Sequence, residues 1–165
     1  MKVCATNKNN ILEKLPINCF RLNFINKAFP EAKYIVIKRN PLEVAASIEE
    51  KIGKGNWYGV NDNKLRLLIE YAKSNNVETK DFLKTDFNKG LLEWRLSNIA
   101  ISKFFNDSKK DFFSINYSNL TLNPKEILTE AFNFLEIKYN EEALINCCKS
   151  VYKNLRNKEN IKNNI

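Results

Sequence analysis

Apolar positions fall into short blocks of two kinds along the chain. Tyr34-Ile35-Val36-Ile37 is an unbroken run of β-formers with no polar alternation, which predicts a strand buried on both faces, as in a parallel sheet. It breaks at Arg39-Asn40-Pro41 into a helix. Asn40 suits the cap, Pro41 suits the first helical position because its missing N–H would be unpaired there, and Glu43 completes an Asn-x-x-Glu capping box. That helix is predicted to close near Gly53. Upstream, Val3 to Thr6 has some β-propensity and Ile11 to Glu13 reads as a short strand. Pro16 then opens a helix on which Phe20, Phe24, Ile25, Ala28 and Phe29 share a face until Pro30. The order predicts a strand-helix-strand crossover into Tyr34.

Downstream, Gly53 to Gly59, with three glycines around Trp57-Tyr58, reads as a loop. Its two aromatics suit either stacking on a base or sugar or anchoring the loop. Leu65, Leu68, Ile69, Tyr71 and Ala72 recur at helical spacing over Asp62 to Ser74, and Trp94, Ile99, Phe104 and Phe105 mark a longer helix over Gly90 to Asn106. The polar stretch between them reads as a loop. Phe112 to Tyr117 is a second strand. Asn123-Pro124-Lys125-Glu126 repeats the helix start used at Asn40, and a last helix is expected from Glu141 to about Leu155. The fold class is therefore α/β, a parallel sheet flanked by helices within a single domain over residues 1–165.

Charge changes the picture. The 165 residues carry 27 Lys+Arg against 19 Asp+Glu, a formal net charge of +8, which favours an anionic ligand. There is no histidine, so mechanisms built on Ser-His, Cys-His or His-metal pairs are excluded and acid–base work falls to Glu, Asp, Lys or Tyr. Cys4, Cys19, Cys147 and Cys148 form no Cys-x-x-Cys pair, which favours reduced thiols in a cytosolic setting and no metal site. No apolar run is long enough to span a bilayer and no signal-peptide core is present, so a soluble, cytoplasmic chain with no membrane partner is expected. Nucleic-acid binding through the lysines lacks a recognisable reading element or a concentrated basic face, and no nucleic-acid partner is expected.

The candidate chemistry starts at Arg39 and Ser47. Arg39 falls at the carboxyl end of the predicted strand and Ser47 about 9 Å into the helix, at 1.5 Å per residue. A guanidinium fork and a hydroxyl suit one phosphate there, helped by the helix's positive end. The alternative is an Arg paired with an acid and a Ser that merely packs.

Four segments in one order resemble the sulfotransferase superfamily, whose members move a sulfuryl group from 3'-phosphoadenosine-5'-phosphosulfate (PAPS) to a hydroxyl or amine. They are Glu13-Lys14-Leu15-Pro16, Phe29-Pro30-Glu31-Ala32 before the strand, Arg39-Asn40-Pro41 with Ser47 eight residues after Arg39, and Tyr117-Ser118-Asn119-Leu120 followed by Asn123-Pro124. The resemblance covers Ile11 to about Leu144 and implies a fold like that of P-loop nucleoside-triphosphate hydrolases. It further implies that PAPS is the co-substrate, that Arg39 and Ser47 hold its 3'-phosphate, that Tyr117 lies near the adenosine, and that Lys14 touches the transferring sulfuryl group.

The departures shape the expectation too. The family's Lys-x-Gly-Thr-Thr-like loop for the 5'-phosphosulfate has no match, since only thirteen residues precede Lys14. The general base is unassigned, and the segment that closes on the 3'-phosphate has its nearest candidate at Leu155-Arg156-Asn157-Lys158. The chain is thus expected to be the carboxyl-terminal portion of a sulfotransferase, inactive alone and needing a complementing amino-terminal segment or a second copy to cover an apolar face. The alternative is a non-catalytic module that kept the 3'-phosphate half-site. Acceptors in the family range over sugars, lipids, peptides and small alcohols.

Overall fold

Two units partition the chain, one formed by residues 1–32 and 40–110 and the other by residues 33–39 and 111–165. The computed structural model describes the backbone of residues 4–5 and 11–162 and the side chains of residues 11–152. The whole is mixed α/β, mostly helical, with a small two-strand parallel sheet packed against helices.

In the first unit β1 (Cys4–Ala5) pairs antiparallel with β2 (Ile11–Leu12), followed by a 3-10 helix at Pro16–Phe20 and α1 (Leu22–Ala28). Two expectations are corrected here. Ile11 and Leu12 belong to a ladder with β1, not to a crossover into the Tyr34 strand; both side chains are exposed, so no buried face drives them into the parallel sheet. The helix expected from Pro16 to Pro30 is broken at Arg21, whose ψ of 11° leaves the helical region. Phe20 packs edge-on against Tyr71, with centroids 5.2 Å apart, whereas Phe24 and Phe29 stay exposed.

The body of this unit is helical: α2 (Pro41–Gly53), α3 (Asn63–Ser74) and α4 (Asp86–Ser108). Asn40 caps α2 as expected, its side chain accepting from the Leu42 N–H at 2.9 Å. Ile48, Leu65, Leu68, Ala72, Leu92 and Leu96 form one buried cluster. The α2 and α4 backbones cross so closely at Gly90 that a Cβ there would lie 2.8 Å from the Ala45 Cα, so only glycine fits. α4 starts four residues earlier than its apolar spacing suggests, because Thr85 caps it by accepting from the Asn88 N–H at 3.1 Å.

In the second unit β3 (Tyr34–Lys38) pairs parallel with β4 (Phe112–Asn116), Tyr34 opposite Phe112 and Lys38 opposite Asn116. The parallel pairing agrees with the sequence reading. Burial on both faces does not hold along the whole of β3: Tyr34 and Val36 are buried, Ile35 is half-buried and Ile37 is exposed, the alternation of a strand with one covered face. After β4 come α5 (Tyr117–Leu122), α6 (Pro124–Leu135) and α7 (Glu141–Lys162). Tyr117 opens α5 rather than ending the strand, because Asn116 caps that helix, accepting from the Ser118 N–H at 2.9 Å. Asn123 does not repeat the Asn40 cap; its own N–H donates to the Asn119 carbonyl at the end of α5 and its side chain caps nothing. Lys33, just before β3, donates to the Phe134 carbonyl at 3.1 Å and pairs with Glu136 at 2.9 Å, while Phe113 stacks on Phe134. These contacts fasten the sheet to α6.

Candidate strand-end site

Parallel pairing brings both strands of the second unit to a common carboxyl end. Because Lys38 stands opposite Asn116, the next residues on the two strands are Arg39 and Tyr117. The Arg39 guanidinium carbon lies 4.8 Å from the centroid of the Tyr117 ring. Each residue is held by its own turn, Tyr117 by the cap at Asn116 and Arg39 by the end of β3. Stacking engages the flat face of a guanidinium, whose N–H donors lie in its plane, so an aromatic neighbour and an in-plane anion do not compete. The carboxyl ends of parallel strands are also where sheets of this kind receive ligands.

The other expected site residues belong to the first unit. Ser47 is half-buried in α2, two turns from its start, and its hydroxyl has no hydrogen-bond partner among the described residues. Lys14 is exposed in the connection between β2 and the 3-10 helix, and no hydrogen bond or ion pair of the described residues links it to Ser47. Its neighbour Glu13 accepts from the Asn18 side chain at 3.3 Å, with Oε2 buried and unpartnered. Leu155-Arg156-Asn157-Lys158 falls within α7, past the described side chains.

A charged cluster in the first unit escaped the sequence reading. Glu93 is only 6 % exposed and accepts from the Trp57 indole N–H at 3.0 Å and from the Lys64 ammonium at 2.6 Å. The Lys64 ammonium lies 4.0 Å from the Trp57 ring centroid and that of Lys51 lies 4.4 Å from it. Trp57 and the buried Tyr58 therefore anchor the loop after α2. Burial raises the Tyr58 phenol above its ordinary range, with the negative charge of Glu93 adding to the effect. Helical spacing carried one signal of this: Glu93 shares a stripe with Gly90, Leu96 and Ala100, all buried, so it had to be inside and partnered.

Nearby, the Cys19 thiol donates to the Pro16 carbonyl at 3.1 Å, and burial pushes its pKa up. Among the described residues no group of His, Cys, Asp or Glu could hold a metal ion, and no helix is long and apolar enough to cross a membrane.

In this mixed α/β protein the parallel strand pair ends with an arginine set over a tyrosine ring. The family model described as Sulfotransferase family matches residues 1–141, and the chain belongs to that family. No curated protein and no solved structure matches the chain.

Proposed function

We propose that this sulfotransferase-family chain takes PAPS as its sulfuryl donor and a hydroxyl or amine as acceptor. Arg39 and Ser47 hold the donor's 3'-phosphate, Tyr117 borders the adenosine, and Lys14 meets the transferring group. The observation that carries the reading is the stack of Arg39 on Tyr117 beyond the paired ends of β3 and β4. It sets the guanidinium beside the tyrosine ring at the strand end, and a guanidinium fork recognises phosphate bidentately. The assignments of Ser47 and Lys14 rest on the family resemblance.

In sulfuryl transfer the acceptor oxygen or nitrogen bonds to sulfur and gives up its proton to a base as the bond from sulfur to the bridging phosphate oxygen breaks. Negative charge grows on that bridging oxygen. A lysine ammonium beside it stabilises the transition state more than the ground state.

Calorimetry with 3',5'-bisphosphoadenosine and 5'-AMP tests the donor site. The bisphosphate is expected to bind more tightly, and Arg39→Ala to weaken it roughly tenfold or more while leaving 5'-AMP nearly unchanged. Equal affinity for the two nucleotides would remove the assignment. Where turnover is measured, Lys14→Ala should lower kcat with little change in bisphosphate affinity.

A further inference from the structure

Two lysines of the first unit converge on one indole. Lys51 and Lys64 place their ammoniums 4.4 and 4.0 Å from the Trp57 centroid, so the two charges are no more than about 9 Å apart. Glu93 neutralises Lys64. It also holds the indole N–H, so ring and lysine are both fixed from α4. Lys51 is treated differently: it is exposed, no carboxylate among the described residues pairs with it, and the neighbouring Glu50 is engaged by Lys54. A cation held by an aromatic face keeps its N–H donors for another partner.

Lys51 is also one helical turn beyond Ser47. Residues four apart lie on the same helix face, with Cβ atoms about 5–6 Å apart. The hydroxyl of Ser47 and the ammonium of Lys51, neither of them hydrogen-bonded within the described structure, therefore share one face of α2.

We propose that Lys51, steadied by Trp57 and with Lys64 behind it, is a further ligand of the nucleotide's 3'-phosphate and completes in the first unit the anion site begun at Ser47. This rests on the donor reading given above. Gly55, Asn56 and Gly59 take positive φ on either side of Trp57.

The test is calorimetry on the full chain with 3',5'-bisphosphoadenosine and 5'-AMP, comparing wild type, Lys51→Met and Lys51→Arg. Lys51→Met should reduce the preference for the bisphosphate roughly tenfold, leave 5'-AMP binding within twofold, and be rescued by Lys51→Arg. Lys51 is exposed, so folding is not at stake; Lys64→Met is unsuitable, because it strands a buried carboxylate. A second readout uses the emission of Trp57 in a Trp94→Phe background, the chain having two tryptophans. Bisphosphate should change that emission and 5'-AMP should not. A Lys51→Met chain that keeps the full preference, or a Trp57 emission indifferent to bisphosphate, overturns this inference and leaves the donor reading standing. A wild-type chain that does not distinguish the nucleotides removes the donor reading, and this inference with it.

Discussion

The two units are stabilised by different means. The first buries a continuous cluster from three helices, in which Leu92 and Leu96 are fully enclosed and the buried Glu93 has two partners. Among the described residues the second buries fewer, with Tyr34, Val36 and Ile115 on its sheet and Ala131 and Leu144 on its helices, while Ile37, Phe112 and Leu122 stay exposed. A two-stranded sheet is marginal by itself and depends on the helices packed against it. The Arg39–Tyr117 pair lies on this thinner unit, and the Lys51–Trp57–Lys64 cluster lies on the well-packed one. The contrast implies that the first unit is the more rigid of the two. Amide exchange should accordingly protect α2 and α4 more strongly than β3 and α6.

Breaking the Lys64–Glu93 pair attacks that contrast at its strongest point. Lys64→Met leaves a buried carboxylate with only the indole N–H, and should lower unfolding stability by about 3–5 kcal/mol in urea melts. Replacing both residues with apolar ones, Lys64→Met with Glu93→Leu, should recover much of the loss, because the stranded charge is what costs. The loss of exchange protection should concentrate in the first unit. If it spread equally to β3 and β4, the two units would be one cooperative body and the comparison would fail.

Gly90→Ala is a smaller blow to the same unit. The added methyl meets the backbone of Ala45, 2.8 Å from its Cα and 2.9 Å from its carbonyl oxygen, and backbone cannot rotate aside as a side chain can. A destabilisation of about 1–3 kcal/mol is expected, outweighing alanine's better helix propensity, which is worth about 1 kcal/mol. A variant as stable as the wild type would show that α2 and α4 can separate at no cost.

How far the sequence foretold these features depends on the range of the interactions behind them. Asn40-Pro41 fixed the start of α2 because capping is decided within a few residues, and the same locality made the two parallel strands legible from their β-branched runs. Thr85 was overlooked because Thr85-Asp86-Phe87 lies in a polar stretch with no apolar period to mark it. The antiparallel partner of Ile11–Leu12 depends on pairing, which composition does not encode. Arg39, Ser47, Tyr117 and Lys14 are candidates named from motifs, and of these Arg39 and Tyr117 meet in the described structure. Lys51 and Lys64 were two among many lysines until the fold set both beside Trp57. Their meaning lies in a ring that is six residues from one and seven from the other, and in a carboxylate farther along the chain.

The mildest probe sharpens the comparison without disturbing either unit. Cys19 reports on the first unit and Cys147 on the second, and both are free thiols. Thiolate is the species that reacts with an alkylating reagent, so reactivity follows exposure and acidity. Cys19 is half-buried, donates to the Pro16 carbonyl and has its pKa raised by burial, so at neutral pH it holds less thiolate than an ordinary cysteine and should react only when the 3-10 helix lifts away. Cys147 is exposed on α7 and should react at the rate of an open thiol. In a Cys4→Ser, Cys148→Ser background, iodoacetamide followed by peptide mass analysis should label Cys147 at least tenfold faster than Cys19. Raising the urea concentration within the native range should accelerate Cys19 only as the first unit opens, giving its local opening free energy by extrapolation. Comparable labelling rates in the absence of urea would mean that the 3-10 helix already opens freely, and the first unit would lose its standing as the rigid half.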